Sequence, residues 1–233
     1  MSLPTTQHDA RTRWSLVATL REDPEHSADA LAALAREYWF PVYAYVRRQG
    51  HASTPAFALT SAFFSVLTSR LMREPPDAGM RFRLYLINQL QAFLALGGTS
   101  GGVEVAAPYS QEELEHRLAP SAVDAMRPQA AFDRDYAGEL MARALSSLRE
   151  EARGRIDLLE QLLPLLAEDP LPGQCEEIAK TAGVPALAIS VALKRLRQRF
   201  RELIDEQLAR TVGDERGLPE ERRALLNALS GPG

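Results

Sequence analysis

The sequence predicts an all-α protein made of two helical domains that a flexible linker joins. Three observations support this fold class. Apolar residues recur at spacings of three and four through most of the chain. No segment alternates with period two over a length typical of a strand. The stretch GGTSGGVEVAAPYS at 97–110 interrupts the helical pattern with a Gly/Ser-rich composition typical of linkers. We expect the second domain to contain a helix-turn-helix.

The first predicted domain covers residues 10–96 and contains three long helices. The segment DALAALAREYWFPVYAYVRRQ has helical periodicity, but its internal Pro41 predicts a break or kink near Trp39 and Phe40. The second helix has Pro55 in its first turn, where a missing N–H costs nothing. The third is RFRLYLINQLQAFLAL, from Arg81 onward. The large aromatic side chains are predicted to form the core: Trp14, Trp39, Phe40, Phe63 and Phe64.

The remainder of the chain divides into a linker, a second domain and a tail. Residues 97–131 are the predicted linker, flexible over 97–110 and partly helical in the acidic segment from 111. The second domain covers 132–212 and starts with one long helix or two, which AEDPLPG at 167–173 ends. Residues 213–233 predict a short C-terminal helix followed by a disordered tail.

Charge is distributed unevenly along the chain, although the net charge is only −4. Residues 99–170 hold seven basic and fourteen acidic side chains, whereas residues 171–201 hold six basic and two acidic ones. Five of those six basic residues lie in KRLRQRFR at 194–201. This segregation indicates a local footprint for a phosphate backbone, with an ordinary solvated helix face as the alternative.

Several classes of protein are excluded by what the sequence lacks. No run of about 18 apolar residues is present, which argues against a membrane span. The first residues lack the apolar stretch of a signal peptide, and the single Cys175 forms no internal disulfide, so we expect a cytoplasmic protein. The four histidines are scattered along the sequence and form no cluster with cysteine, so we expect no metal site and no cofactor. No phosphate-binding loop or nucleophile motif is present, so we expect no enzymatic activity.

Residues 174–200 predict a helix-turn-helix. A short helix containing Ile178 and Ala179 runs into TAGVP, and a second helix begins near Pro185. Ala179 is small enough for the helices to cross closely, and Gly183 lies where the turn needs a positive φ. The residues expected in the shared core are Ile178, Val184, Leu187, Val191 and Leu196. In this motif the second helix enters the major groove of DNA.

The second helix of this motif carries the predicted DNA contacts. Residues near its N-terminal end are expected to face base edges, whereas those from Lys194 to Arg201 are expected to contact phosphates. The solvent-side positions are Ala186, Ser190, Lys194, Arg195, Arg197 and Arg199.

Five segments have the order and spacing of one known family: TRWSLV at 12–17, YWFPVYAYVRRQGH at 38–51, FF at 63–64, RFRLYLINQLQAFL at 81–94 and EEIAKTAGVPALAISVALKRLRQRFRELIDEQLARTV at 176–212. In these segments the chain resembles bacterial RNA polymerase sigma factors of the extracytoplasmic-function type. The resemblance implies that residues 10–96 dock on the β′ subunit of the polymerase core and melt the −10 promoter element. It implies that residues 132–212 read the −35 element.

The resemblance also assigns residues of the third helix to −10 promoter DNA: Arg81, Arg83, Asn88 and Gln89. Ordinary surface charge is the alternative for the two arginines. Two departures from the family pattern occur near the expected DNA contacts. No basic residue follows the third helix in ALGGTSGG, and Ser190 stands where the recognition helix often carries a basic residue.

The largest departure from the family lies at the start of the second helix. The family pattern G-H-S-P-E-D-A-E-D-L-T-Q-E-F-F aligns without a gap from Gly50 to Phe64, and none of its five acidic residues is present. In the family these carboxylates face a basic helical hairpin of β′. The residues that replace them are Thr54, Pro55, Phe57, Ala58 and Ala62. No acidic or basic residue occurs between His51 and Arg70.

Three explanations for the missing acids remain open. In the first, a Ser/Thr protein kinase supplies the charge by phosphorylating a nearby hydroxyl. The candidates are Ser53, Thr54, Thr60 and Ser61. Thr54 replaces a family acid near the helix N-terminus, where the helix dipole favours a phosphate, although it is equally suited to be a simple helix cap.

In the second explanation the protein is a helix-turn-helix regulator that has lost polymerase docking. In the third, the apolar replacements at Phe57, Ala58 and Ala62 pack against a protein partner or a divergent polymerase surface. Phe57 is then the anchor, unless it is buried in its own domain. A helical protein-interaction scaffold with no nucleic-acid role is the remaining alternative.

Overall fold

The computed structural model describes residues 13–23, 25–74, 80–98, 105–118, 127–212 and 217–230, with the backbone alone for Arg13, Trp14 and Arg21. Every regular element in these residues is helical, which confirms the predicted all-α class. The side chain of Trp14 lies outside the described residues, and so does the predicted disordered tail SGPG (230–233) except for Ser230, which is the last residue of the C-terminal helix.

The described residues form ten α-helices: α1 (Arg13–Glu22), α2 (Ser27–Arg48), α3 (Ser53–Arg73), α4 (Phe82–Ala95), α5 (Gln111–Arg117), α6 (Pro128–Glu151), α7 (Ile156–Leu162), α8 (Gln174–Ala182), α9 (Ala186–Ala209) and α10 (Leu218–Ser230). Short 3-10 turns, Arg153–Arg155 and Leu163–Leu165, lie on either side of α7. The periodic segment after residue 131 is therefore divided between two helices.

The chain divides into two compact units. The first consists of Met1–Glu139 with Leu208–Gly233, and the second of Leu140–Gln207. Residues 132–139 and 208–212, which the sequence placed with the second domain, thus belong to the first unit. The reason is burial: Phe132, Tyr136 and Thr211 are all fully buried, and Tyr136 stacks on Tyr38 of α2 with ring centroids 5.2 Å apart.

Aromatic side chains form much of the core of the first unit, as predicted. Trp39 and Phe64 stack with ring centroids 4.8 Å apart, and Phe63 packs against Phe93 at 5.7 Å. Phe40 is buried as well. These contacts bring α2, α3 and α4 together around one core.

Helix α2 runs through Pro41 as a single element, so the predicted break is wrong. Residues from Tyr38 to Val46 are all buried, and Pro41 is among them. Burial of this whole segment in the core outweighs the lost backbone hydrogen bond at Pro41, which is how tertiary packing overrides a local signal.

Helix α5 lies in the predicted linker and packs against α3. It begins with a capping box in which the Ser110 hydroxyl accepts from the Glu113 N–H, and the Glu113 carboxylate accepts from the Ser110 N–H. Leu114 is fully buried. Arg47 of α2 donates to both carboxylate oxygens of Glu115, with N···O distances of 2.6 and 3.0 Å. The segment 110–117 is therefore part of the first unit.

The second unit has two apolar clusters. One joins Leu162 and Leu165 to Ile178 and Ala179 of α8 and to Ile189 and Leu193 of α9. The other joins Ala144 and Leu148 of α6 to Leu203 of α9. Helix α9 contributes to both clusters, so its inward face is specified along most of its length.

Candidate functional site

Helices α8 and α9 are joined by a tight turn at residues 183–185. Gly183 has a φ of +67° and ends α8, as its position in the sequence predicts. The Val184 N–H donates to the Ala179 carbonyl and the Gly183 N–H to the Lys180 carbonyl, at 3.1 and 3.4 Å. This hydrogen-bond pattern is a Schellman motif, which ends one helix and sets the direction of the next chain segment.

The inward face of α9 differs from the predicted one. Ile189 and Leu193 are buried at 1% and 4% exposure, and they pack against Ile178 of α8. By contrast, Leu187 is 76% exposed and Val191 is 42% exposed, and Val184 in the turn is 38% exposed. The prediction that these three residues belong to the core is wrong. Leu187 and Val191 each precede a core residue by two positions, which is about 200° around a helix.

The outward face of α9 begins apolar and becomes basic. We call the residues at positions opposite the core the outer stripe: Leu187, Val191, Lys194, Gln198 and Arg201. Ser190 and Arg195 flank the stripe and are exposed. In the part of the chain that the structure describes, Lys194, Arg195 and Arg201 form no ion pair, so their charges face solvent.

Two other arginines of the basic run bind the protein itself. Arg197 donates through Nε and Nη2 to the Leu165 carbonyl at 3.1 and 2.8 Å, and through Nη1 to Asp169 at 2.9 Å. The Arg199 guanidinium pairs with Glu151 at 2.7 Å and also with Glu202 and Glu206. The hydrogen bond from Arg199 lowers the pKa of the Glu151 carboxyl. Arg197 and Arg199 are thus only partly exposed and bind carboxylates and carbonyls of the second unit, whereas the sequence predicted them to contact phosphates.

Ala186 is not a solvent-side position of α9 either. It is half-buried and packs against the cluster around Ile189, because it lies on the inward side of the first turn. Ser190 is exposed as predicted, and its hydroxyl is within 3.4 Å of the Ala186 carbonyl. Among the six predicted positions, Ser190, Lys194 and Arg195 therefore remain available to a ligand.

Arg83 of α4 does not face solvent. Its side chain is 2% exposed, and Nε pairs with Glu221 of α10 at 2.7 Å. Its Nη1 pairs with Asp133 of α6. Burial raises the pKa of Asp133 although Arg83 opposes the shift. The prediction that Arg83 contacts −10 DNA is therefore corrected. Arg83 forms buried ion pairs that join three helices of the first unit.

The other predicted positions on α4 are more accessible. Arg81 immediately precedes α4, is 28% exposed and lies 3.6 Å from Glu220 and from Glu221. Gln89 is half-buried and accepts a hydrogen bond from Arg70 of α3. Asn88 is exposed. Carboxylates of α10 thus lie beside both arginines that the sequence assigned to DNA.

The four candidate hydroxyls on α3 have different environments. Thr60 is fully buried and donates to the Ala56 carbonyl at 2.8 Å, and Ser61 is half-buried and donates to the Phe57 carbonyl. Ser53 is half-buried and accepts from Gln111 of α5 at 3.1 Å. Thr54 is exposed, with Gln111 Nε2 at 3.4 Å from its hydroxyl. Thr54 is the hydroxyl of this set that a modifying enzyme reaches most directly.

The N-terminus of α3 has no side-chain cap. The N-cap residue is Ala52, in extended conformation, and the first turn contains no acidic residue. The alternative interpretation of Thr54 as the N-cap is therefore wrong. The first-turn N–H groups carry the positive end of the helix dipole, and no carboxylate of this turn offsets it.

A shallow apolar groove follows the outer side of α3. It has a volume of about 1020 Å³, and Pro55, Phe57, Ala58 and Ala62 line one side of it. Residues 105–107, which belong to no regular element, line the other. Phe57 is half-buried against Trp39, with ring centroids 6.3 Å apart. Three of the predicted docking residues, Phe57, Ala58 and Ala62, therefore line one groove of the first unit, and Thr54 is not among its lining residues.

Sequence reasoning missed the part that α5 plays at this surface. Gln111 reaches Ser53 and Thr54, and Glu115 pairs with Arg47. The sequence predicts a partly helical segment from residue 111, and the pattern S-Q-E-E at 110–113 is a capping-box signature that places the start of this helix at Ser110.

The chain matches no protein-family model, no curated protein and no solved structure. Among the described helices, none has the length and apolar character needed to cross a membrane. The described residues contain no group of three or more His, Cys, Asp or Glu side chains placed to hold a metal ion.

Proposed function

We propose that the protein is a sigma-type transcription initiation factor, which binds promoter DNA through α9 and the RNA polymerase core through α3. The sequence segments that resemble sigma factors support the class of protein. The observation that carries the DNA-binding part is the outer stripe of α9 together with Arg195 beside it. Lys194 of the stripe and Arg195 both face solvent, and α9 follows α8 after a tight turn.

The arrangement of α8 and α9 suits a helix-turn-helix. In that motif the N-terminal residues of the second helix face base edges, and later residues contact the sugar–phosphate backbone. Exposed Ser190 lies in the part of α9 that would face bases, and Lys194, Arg195 and Arg201 follow it. Because Arg197 and Arg199 bind carboxylates and carbonyls of the second unit, the proposed phosphate contacts are fewer than the basic run suggests.

Salt dependence tests the DNA contact. Binding of the full chain to a mixed-sequence duplex is measured between about 50 and 200 mM salt for the wild type and for Lys194→Ala with Arg195→Ala. Each phosphate contact contributes about 0.9 to the slope of log K against log salt, so we expect the double variant to lose about two units of slope.

The control removes two cations from another part of the second unit. Arg149 at the end of α6 pairs with Glu160, and Arg153 lies in the following turn. Arg149→Ala with Arg153→Ala changes the net charge equally, and we expect its salt slope to stay near the wild-type value. An equal loss of slope in both double variants would contradict a binding surface on α9.

Docking on polymerase is the second part of the proposal. The outer side of α3 has no carboxylates, but exposed Thr54 lies in its uncapped first turn. A phosphate there adds about −1.5 to −2 charges beside the positive end of the helix dipole. We therefore propose that a Ser/Thr kinase modifies Thr54 and thereby restores the attraction to a basic helical hairpin of β′.

A pull-down with RNA polymerase core tests this switch. The chain is compared with and without phosphothreonine at position 54, and Thr54→Ala treated with the same kinase is the control. We expect retention of polymerase by the phosphorylated chain alone. Tight binding by the unmodified chain would overturn the switch and would favour direct apolar docking in the groove beside Phe57.

A regulator that binds DNA without polymerase is the second candidate function. The observation that favours it is the absence of charged residues between His51 and Arg70, which leaves the outer side of α3 uncharged. Salt-dependent DNA binding together with no polymerase retention in either form would support this candidate. A helical scaffold would bind neither partner.

A further inference from the structure

The N-terminal half of the outer stripe of α9 is apolar where a solvated surface would be polar. Leu187 is 76% exposed and Val191 is 42% exposed, and the two lie one helical turn apart. Neither residue packs in the core of the second unit, where Ile189 and Leu193 are the buried residues of this part of α9. Single exposed apolar residues are common, but these two are continuous with cations along one stripe.

The cations indicate what covers this apolar surface. Lys194 and Arg201 continue the stripe and Arg195 flanks it, so the stripe as a whole is complementary to a polyanion. In the helix-turn-helix arrangement, the first two turns of α9 face base edges. The thymine C5-methyl is the apolar group that base edges display in the major groove.

We infer that Leu187 and Val191 read thymine methyl groups in the major groove, while Lys194 and Arg195 hold the adjacent phosphates. This inference rests on the proposed function. Four residues of α-helix span about 6 Å and one base step about 3.4 Å, so the two side chains reach thymines within about two base steps of each other. Specificity thus arises from apolar contact at positions 187 and 191.

Replacement of thymine by deoxyuridine tests the inference, because it removes the methyl group and keeps the base-pairing hydrogen bonds. A duplex is first selected from a random pool with the full chain. Each thymine of that duplex is then replaced singly by deoxyuridine. We expect affinity to fall about three- to fivefold at one or two neighbouring positions, as burial of a methyl group predicts, and to stay unchanged at the others.

A variant links the effect to the side chain. In Leu187→Ala, deoxyuridine at the sensitive position should cost little further affinity, because the contact is already lost. Leu171 is the matched control, since it is 74% exposed in the same unit but lies outside α9. Leu171→Ala should keep the full deoxyuridine effect.

The outcomes separate this inference from the function on which it rests. DNA binding with the expected salt slope but no deoxyuridine effect would overturn the methyl contact alone. Absence of salt-dependent DNA binding would overturn the proposed function as well. A change in oligomeric state on Leu187→Gln would show that a second copy of the chain covers the stripe, which also overturns the inference.

Discussion

Arg83 illustrates how burial decides the role of a single cation. Its guanidinium contacts Glu221, which is fully buried, and Asp133, which is mostly buried. Removal of one partner from a buried ion pair is strongly destabilising, because it leaves a charge without compensation.

We therefore expect Arg83→Met to lower the free energy of unfolding by about 3–5 kcal/mol. Urea unfolding followed by tryptophan fluorescence measures this, since Trp14 and Trp39 are the tryptophans of the chain and both belong to the first unit. Arg81→Ala is the control. Its longer and more exposed contacts at 3.6 Å predict a loss below about 1 kcal/mol.

The same variant has a predicted pH dependence. Burial already raises the pKa of the Asp133 carboxyl, and Arg83 opposes this shift, so removal of Arg83 raises the folded-state pKa of Asp133 further above the unfolded one. A raised carboxyl pKa gives stability below the unfolded pKa that is lost as pH rises through the folded one. The deficit of Arg83→Met should thus be largest at neutral pH. A deficit that grows on acidification would contradict this explanation.

At the scale of the element, α3 starts without a cap. Ala52 is in extended conformation, which is the geometry that an N-cap Asp or Ser uses. We expect Ala52→Asp to raise the free energy of unfolding by about 1 kcal/mol, from the cap hydrogen bond and the helix dipole. Chemical denaturation measures this change. Ala58→Asp adds the same charge at an exposed position beyond the first turn and should give no such gain.

Helix α5 depends on an ion pair for part of its attachment to the first unit. The hydrogen bond from Arg47 lowers the pKa of Glu115 below its ordinary value of 4.5. A lowered carboxyl pKa gives stability that is present above 4.5 and is lost as pH falls through the folded-state value.

We therefore expect the amide protection factors of residues 111–117 to fall on acidification below about pH 4.5, which hydrogen exchange measures. Glu115→Gln should show reduced protection at neutral pH and a smaller response to acid. Unchanged protection in that variant would assign the attachment of α5 to Leu114 and the capping box.

At the scale of the whole molecule, the first unit is assembled from two separated parts of the chain. Residues 208–233 belong to it, and Glu221 of α10 supplies the partner of Arg83. Leu208, Thr211 and Leu225 are buried as well. The C-terminal helix is therefore structural, in contrast to its appearance as an appended segment in the sequence.

Deletion of residues 208–233 should consequently destabilise the first unit even though residues 1–139 remain. We expect the fluorescence transition to move to a lower urea concentration and to lose cooperativity. Glu220→Ala is the control, because Glu220 is an exposed residue of the same helix, 67% exposed at its side chain. An unchanged transition after the deletion would contradict the assignment of α10 to this unit.

The sequence by itself determined the elements that depend on local interactions. Helical periodicity predicted the all-α class, Gly183 predicted the end of α8, and large aromatics predicted the core around Trp39. These signals are local because helical hydrogen bonds join residues four positions apart. A cap likewise pairs with the free backbone N–H or C=O groups of the helix turn next to it.

Only the tertiary structure decided which face of α9 is buried and which arginines have partners. Leu187 and Ile189 are both apolar, and burial of Ile189 depends on residues such as Leu162 far away in sequence. Arg83 and Glu221 are 138 residues apart, and Arg197 and Leu165 are 32 apart. Long-range packing selects one face and pairs particular charges, because burial and desolvation depend on all the elements that meet at a site.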